Sequence, residues 1–159
     1  MSRSRIVSVL VLAVSAAVAA LVPAPATAAE SVILIPSGAG RAGCPGGYVC
    51  LWEYDNFRGR GVGFYYSTEY YGNLSSTYAW INNWSESAYN NGNTSDVRFG
   101  RFSKLRGGTF VLCRKDWLSH FPNARDEGAT TPTDDDDTRP GYRWRNQISS
   151  HQFFSSNWC

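Results

Sequence analysis

The chain has 159 residues with 15 Lys and Arg against 13 Asp and Glu, a formal charge of +2. That excess is too small, and the arginines too dispersed, for a protein that grips a phosphate backbone, so nucleic acid is not an expected partner. The four cysteines, an even count, fit an oxidised exported protein.

The first element in chain order reads as a secretory signal peptide. Arg3 and Arg5 precede an apolar stretch over 6–22, and Pro23, Pro25 and the small residues up to Ala29 close it on an A-x-A pattern. Cleavage is expected after Ala28 or Ala29, which assigns 1–28 to the signal and makes the mature protein secreted, extracellular and without a membrane anchor. Loss of Arg3 and Arg5 leaves the mature chain formally neutral. Its roughly 130 residues suit one domain, expected to be a monomer, that buries about two thirds of its unfolded surface. Residues 29–43 hold one apolar run, Val32-Ile33-Leu34-Ile35, and read as an N-terminal arm or an added edge strand.

From Tyr48 onward, short segments rich in aromatic and β-branched residues end in Gly, Asn, Asp or Ser. Strands are predicted over 49–54, 61–66, 87–90, 96–102, 109–113 and 148–154, with a short one at 157–159. Helix signals are scarce, and the fold class is all-β, a sandwich of two sheets. Between 119 and 141 the residues are polar or turn-forming and include aspartates at 134–137, which marks an exposed loop. Short basic clusters at Arg98, Arg101, Lys104 and Arg106 and at Arg139, Arg143 and Arg145 suit solvated strand edges.

Cys44, Cys50, Cys113 and Cys159 can pair in three ways. Pro45, Gly46 and Gly47 between the first two allow the chain to turn back, which favours Cys44 with Cys50 and leaves Cys113 for Cys159. In the chain-entropy model the long bridge removes about 4 kcal/mol of unfolded-state freedom and the short one about 2 kcal/mol. Zinc is disfavoured, because no C-x-x-C pair exists and export favours oxidation.

Trp52-Glu53-Tyr54-Asp55-Asn56-Phe57-Arg58-Gly59 places an aromatic, a second aromatic five residues on, and a glycine two further on. This resembles the Greek-key signature of βγ-crystallins, in which Trp52 and Phe57 pack across a folded hairpin and Gly59 supplies an unusual backbone conformation. Asn82-Asn83-Trp84-Ser85-Glu86-Ser87 is similar to the polar box that leads into the third strand of such a motif, and Arg145-Asn146-Gln147-Ile148-Ser149-Ser150 repeats it. The resemblance implies a βγ-crystallin-like Greek-key sandwich of two related four-stranded motifs over 44–159. The opening Cys44-Pro45-Gly46-Gly47-Tyr48-Val49-Cys50-Leu51-Trp52 is similar to small exported bacterial proteins of peptidase inhibitor family I36. That likeness implies a non-enzymatic inhibitor of an extracellular protease, a metalloproteinase in the best-known case. The second half lacks a matching signature, and Cys113-Arg114-Lys115-Asp116-Trp117-Leu118-Ser119-His120 is expected to form an irregular hairpin in its place. No inhibitory loop can be assigned from the sequence.

No cofactor is required, and calcium is an optional ligand. The resemblance implies calcium oxygens from Asn82, Asn83, Glu86, Ser87, Asn146, Ser149 and Ser150, while Arg145 at the head of the second box opposes a cation. The two histidines, His120 and His151, assemble no triad, and G-x-S-x-G, H-E-x-x-H and phosphate-binding glycine loops are absent. Tyr65, Tyr66, Tyr70, Tyr71, Trp80 and Trp84 stand near Asn and Ser, a mixture suited to core packing or to a rigid surface for protein or carbohydrate. N-x-S/T triplets at Asn73, Asn83 and Asn93 are expected to be unused in a bacterial protein. The leading expectation is a secreted inhibitor that blocks a protease cleft with an exposed loop. The alternatives are a calcium-binding extracellular structural or stress module and an antimicrobial, toxin-like effector.

Overall fold

A period-two alternation of large apolar with small or polar residues builds the strands of this protein. The computed structural model describes residues 31–121, 144–155 and Cys159; the signal segment, the 134–137 aspartates, Arg139, Arg143 and Trp158 lie outside the described residues. The strands are β1 (Val32–Ile35), β2 (Val49–Tyr54), β3 (Arg58–Phe64), β4 (Ser87–Asn90), β5 (Asp96–Gly100), β6 (Thr109–Leu112), β7 (Trp117–Leu118) and β8 (Ser150–Phe154). They form two antiparallel sheets, one ordered β1-β3-β2-β4-β7 and the other β6-β5-β8. Among the described residues no helix is long and apolar enough to cross a membrane.

Each half of the chain folds a hairpin and then returns a strand beside it: β4 lies on β2, and β8 on β5. The remaining segment of each half crosses to the opposite sheet. From the second half, β7 pairs with β4; from the first, Thr68 makes a lone bridge to His151 on β8, with reciprocal N–H···O bonds of 3.0 Å. The inner faces meet in a core that includes Leu51, Phe64, Tyr71, Phe99, Phe110, Leu112 and Ile148, with Phe99 and Phe110 stacked at 5.0 Å. Fully burying a side chain of this size contributes about 1.5–3 kcal/mol.

Strand β2 is buried on both faces, because the segment before it covers the outer side. Cys50 and Trp52 point away from the main core into a second cluster with Ile35, Cys44 and Tyr48, flanked by Ile33 and Phe57. β1 pairs with β3 and so forms the edge of this sheet. Gly61 and Gly63 stand across from Trp52 and Cys50. A Cβ at Gly63 would lie 2.9 Å from the Ile33 side chain, and one at Gly61 would lie 2.8 Å from the Leu51 carbonyl, so these positions stay bare for the outer layer to close. The disulfides join Cys44 to Cys50 within that layer and Cys113 to Cys159.

The two hairpins turn through the same corner. Asn56 and Phe57 take φ of 55° and 58°, Lys104 and Leu105 take 57° and 56°, and the glycines that follow, Gly59 and Gly107, take 73° and 76°. The Ser87 hydroxyl accepts from the Phe57 N–H at 3.1 Å and donates to the Tyr54 carbonyl at 2.7 Å. Ser150 repeats this with the Leu105 N–H at 3.1 Å and the Phe102 carbonyl at 2.6 Å. The second corner is therefore at 102–107, not at 113–120 as the sequence reading expected. Gly100 and Leu105 occupy the places of Trp52 and Phe57, which removes both aromatic markers while the serine and glycine keep the shape. Residues 113–118 form a turn into β7 instead.

Candidate functional site

The two boxes cross each other between the sheets. The Asn83 N–H donates to the Ile148 carbonyl at 3.0 Å, and the Asn146 N–H donates to the Ser85 carbonyl at 2.9 Å, a reciprocal exchange about the pseudo-twofold. Asn83 and Asn146 both sit in the left-handed region, at φ of 55° and 56°, where asparagine is among the best tolerated residues.

The side chains break that symmetry. Glu86, buried, accepts from the Arg145 guanidinium at 2.7 Å, so its charge is matched from within the chain. Calcium at this half would have to displace a guanidinium, and the residues there do not fit the ion. Ser87 and Ser150 hold the corners, and the Ser149 hydroxyl donates to Asn83 Oδ1 at 2.8 Å. Asn82 Oδ1, Ser85 Oγ and Gln147 Oε1 are buried oxygens without a hydrogen-bond partner among the described residues. Such oxygens suit a hard cation or water, and they come from both boxes, Asn82 and Ser85 from the first and Gln147 from the second.

Among the described residues, neither histidine stands beside a nucleophile in a catalytic arrangement. His151 is buried among Phe64, Phe99 and Phe153. Its Nε2 lies 3.0 Å from the Tyr66 carbonyl, which can only accept, so Nε2 carries the proton and Nδ1 accepts from the Tyr71 hydroxyl at 2.9 Å. Burial lowers its pKa to about 3, opposed by the bond to the Tyr66 carbonyl. Burial also raises the Tyr71 phenol well above its usual value. His120 Nδ1 lies 3.8 Å from an Asp55 carboxyl oxygen. That carboxyl is held below its usual range chiefly by the hydrogen bond from Arg58. Among the described residues, the one cluster of potential metal ligands, Asp96 with Cys113 and Cys159, has both sulfurs in a disulfide, and Asp96 accepts from the Arg114 N–H at 2.9 Å.

The stapled loop 44–50 projects from the first sheet. Pro45 and Gly46 are exposed at its tip. The loop is fixed to the β4–β5 connection by the Gly47 N–H to the Asn91 carbonyl at 2.9 Å and by the Asn91 amide to the Cys44 carbonyl at 2.9 Å. Of the six aromatics singled out in the sequence, Tyr71 is core, Trp80 carries the Arg60 guanidinium at 3.9 Å, and Trp84 is 53% exposed. Sequence reasoning missed Trp117, whose ring holds the Arg41 guanidinium at 4.0 Å with Tyr89 and Phe57 beside it. A run of scattered single aromatics gives no linear signal for such a cluster.

A family model described as peptidase inhibitor family I36 matches residues 38–112, a span that contains the stapled loop, the first corner and the first box. Over that span the chain is similar to family I36. No curated protein matches the chain significantly. Among solved structures, one reported under the evolution of the eye lens βγ-crystallin domain fold is similar at a TM-score of 0.54 and 16% identity, covering 80% of this chain and all of that one. A βγ-crystallin from an archaeon covers 69% of this chain and all of its own, with 17% identity and a TM-score of 0.44. The first of these shows that this protein has the βγ-crystallin fold.

Proposed function

We propose that this protein is a secreted peptidase inhibitor that presses the exposed tip of loop 44–50 against a protease cleft, a metalloproteinase being the first class to try. The observation that carries the reading is the family match over the residues that hold this loop. The physical support is rigidity: a disulfide, two backbone-directed hydrogen bonds and the Trp52 cluster hold the tip in one shape. A preordered loop loses little conformational freedom on docking, which is where such inhibitors gain affinity.

The test is inhibition of a panel of secreted metallo-, serine and cysteine proteases by the oxidised protein. Micromolar inhibitor should slow at least one of them. Gly46→Asp should abolish that effect without unfolding the loop, since a Cβ there meets nothing nearer than the Asn93 side chain at 3.8 Å. Full inhibition by the variant would remove loop 44–50 from the mechanism, and no inhibition by the native protein would sink the proposal itself.

A second reading, a calcium-binding extracellular module, is favoured by the unpartnered oxygens of Asn82, Ser85 and Gln147. Bound calcium would be held by oxygens of both boxes, Asn82 and Ser85 from the first and Gln147 from the second. It predicts a higher melting temperature in excess calcium than in chelator, because a ligand selective for the native state raises apparent stability.

A further inference from the structure

Beside the stapled loop the surface opens into a groove of about 400 Å³, a volume within the range of small-molecule sites. Tyr65 and Tyr66, on the segment that leaves β3, and Phe153, on β8, supply its aromatic walls, and Ser67, Asn93 and Ser95 its polar rim. We propose that this groove binds a neutral oligosaccharide, a role separate from protease inhibition.

The aromatic walls are set before any ligand arrives. Tyr66 meets Tyr65 edge-on at 5.0 Å and 89°, and Tyr65 is in turn braced by the buried Tyr48 at 5.2 Å. Tyr66 is 62% exposed, so the apolar faces are open to solvent on a fixed frame. A pyranose ring presents a face of C–H groups with partial positive charge, which suits the negative face of an aromatic ring. Gly47 and Gly92 contribute backbone without side chains, and Gly47, at φ of 90°, leaves no room for one: a Cβ would stand 3.1 Å from the Tyr65 ring.

The polar groups match the hydroxyls of the same ligand. The Tyr65 and Tyr66 hydroxyls and the Asn93 amide make no side-chain hydrogen bond among the described residues, so they remain open to a sugar. Ser67 Oγ accepts the Phe153 N–H at 2.9 Å and keeps its own proton to donate. None of the residues lining the groove is charged. That disfavours nucleotides, sulfated sugars and acidic peptides, each of which needs a cationic partner, and leaves an uncharged molecule with both C–H faces and hydroxyls.

Titration calorimetry on the oxidised protein, with chitohexaose, cellohexaose and laminarihexaose as probes, tests the proposal. A heparin hexasaccharide and a proline-rich decapeptide serve as comparators. At least one neutral saccharide should bind saturably, and Tyr66→Ala and Asn93→Ala should each weaken it by about tenfold, the effect of removing a central contact. Tyr66 and Asn93 are exposed, so neither change endangers the fold. Failure of all three saccharides, binding of the decapeptide or heparin alone, or undiminished saccharide binding by Tyr66→Ala would each overturn the assignment. No protease takes part in the measurement, so its outcome is independent of the inhibitor reading.

Discussion

Ser87 and Ser150 do the same thing in the two halves of the molecule, whereas the residues that follow them, Ala88 and His151, do different things. Both serines close a corner with one hydrogen bond accepted and one donated. Ala88 then faces Leu118 in a purely apolar strand pair, while His151 faces Thr68 and brings an imidazole into the core. The boxes diverge likewise: Asn82 and Ser149 in one crossing correspond to Arg145 and Glu86 in the other, and only the latter make an ion pair. Backbone geometry is thus duplicated by a few small polar residues, and the side chains around them are free to differ in chemistry.

Acid should expose the asymmetry most strongly. An unfolded His151 takes up a proton below about pH 6.5, whereas the folded one resists until about pH 3, so the unfolded state binds more protons across that window. Stability should therefore be flat above pH 6.5 and fall on acidification by up to about 1.4 kcal/mol per pH unit. Urea unfolding between pH 7 and 5, above most carboxylate titrations, measures the slope. His151→Gln should flatten it, and a slope unchanged in that variant would assign it to other groups.

The serines should show the symmetry. Ser87→Ala and Ser150→Ala each leave a corner amide and carbonyl without partners, at a cost of about 2–3 kcal/mol. Clearly unequal losses by denaturant titration would mean that the corners are not equivalent in energy.

Arg145→Ala should cost about 1–2 kcal/mol at neutral pH, because it strands the buried Glu86 carboxylate while the arginine itself is 48% exposed. Adding Glu86→Gln should recover part of the loss, and a double-mutant cycle reads the coupling. Smallest of all, Lys104→Gly should stabilise by about 0.5 kcal/mol, since lysine resists the left-handed conformation that glycine accepts. Asn56→Gly, where asparagine already tolerates it, should gain nothing, and thermal melts of the pair make the comparison.

Much of this fold was legible because its markers are local. Trp52, Phe57 and Gly59 lie within one turn of chain, and each box is a short run ending in serine. The second corner was illegible because Gly100 and Leu105 replaced the aromatics that announce it, leaving only Gly107 and the distant Ser150. β7 has two residues and Thr68 pairs alone, too little for any alternation to register. The covering of the outer face was half visible in the apolar run at 32–35, but its fit depends on Gly61 and Gly63, whose place in a predicted strand does not reveal what packs over them. The Glu86–Arg145 pair joins residues in different boxes, and the groove gathers the β4–β5 connection, the β3 exit and β8, so no linear pattern could show either.

The exchange of segments between the sheets has a topological outcome. A chain cleaved in the exposed stretch around Asn93 and Thr94 would yield two pieces, each missing the edge partner that its own sheet borrows from the other. Neither piece could satisfy its outer hydrogen bonds alone, and each would find its best complement in the other, so the molecule is one cooperative unit despite being built twice.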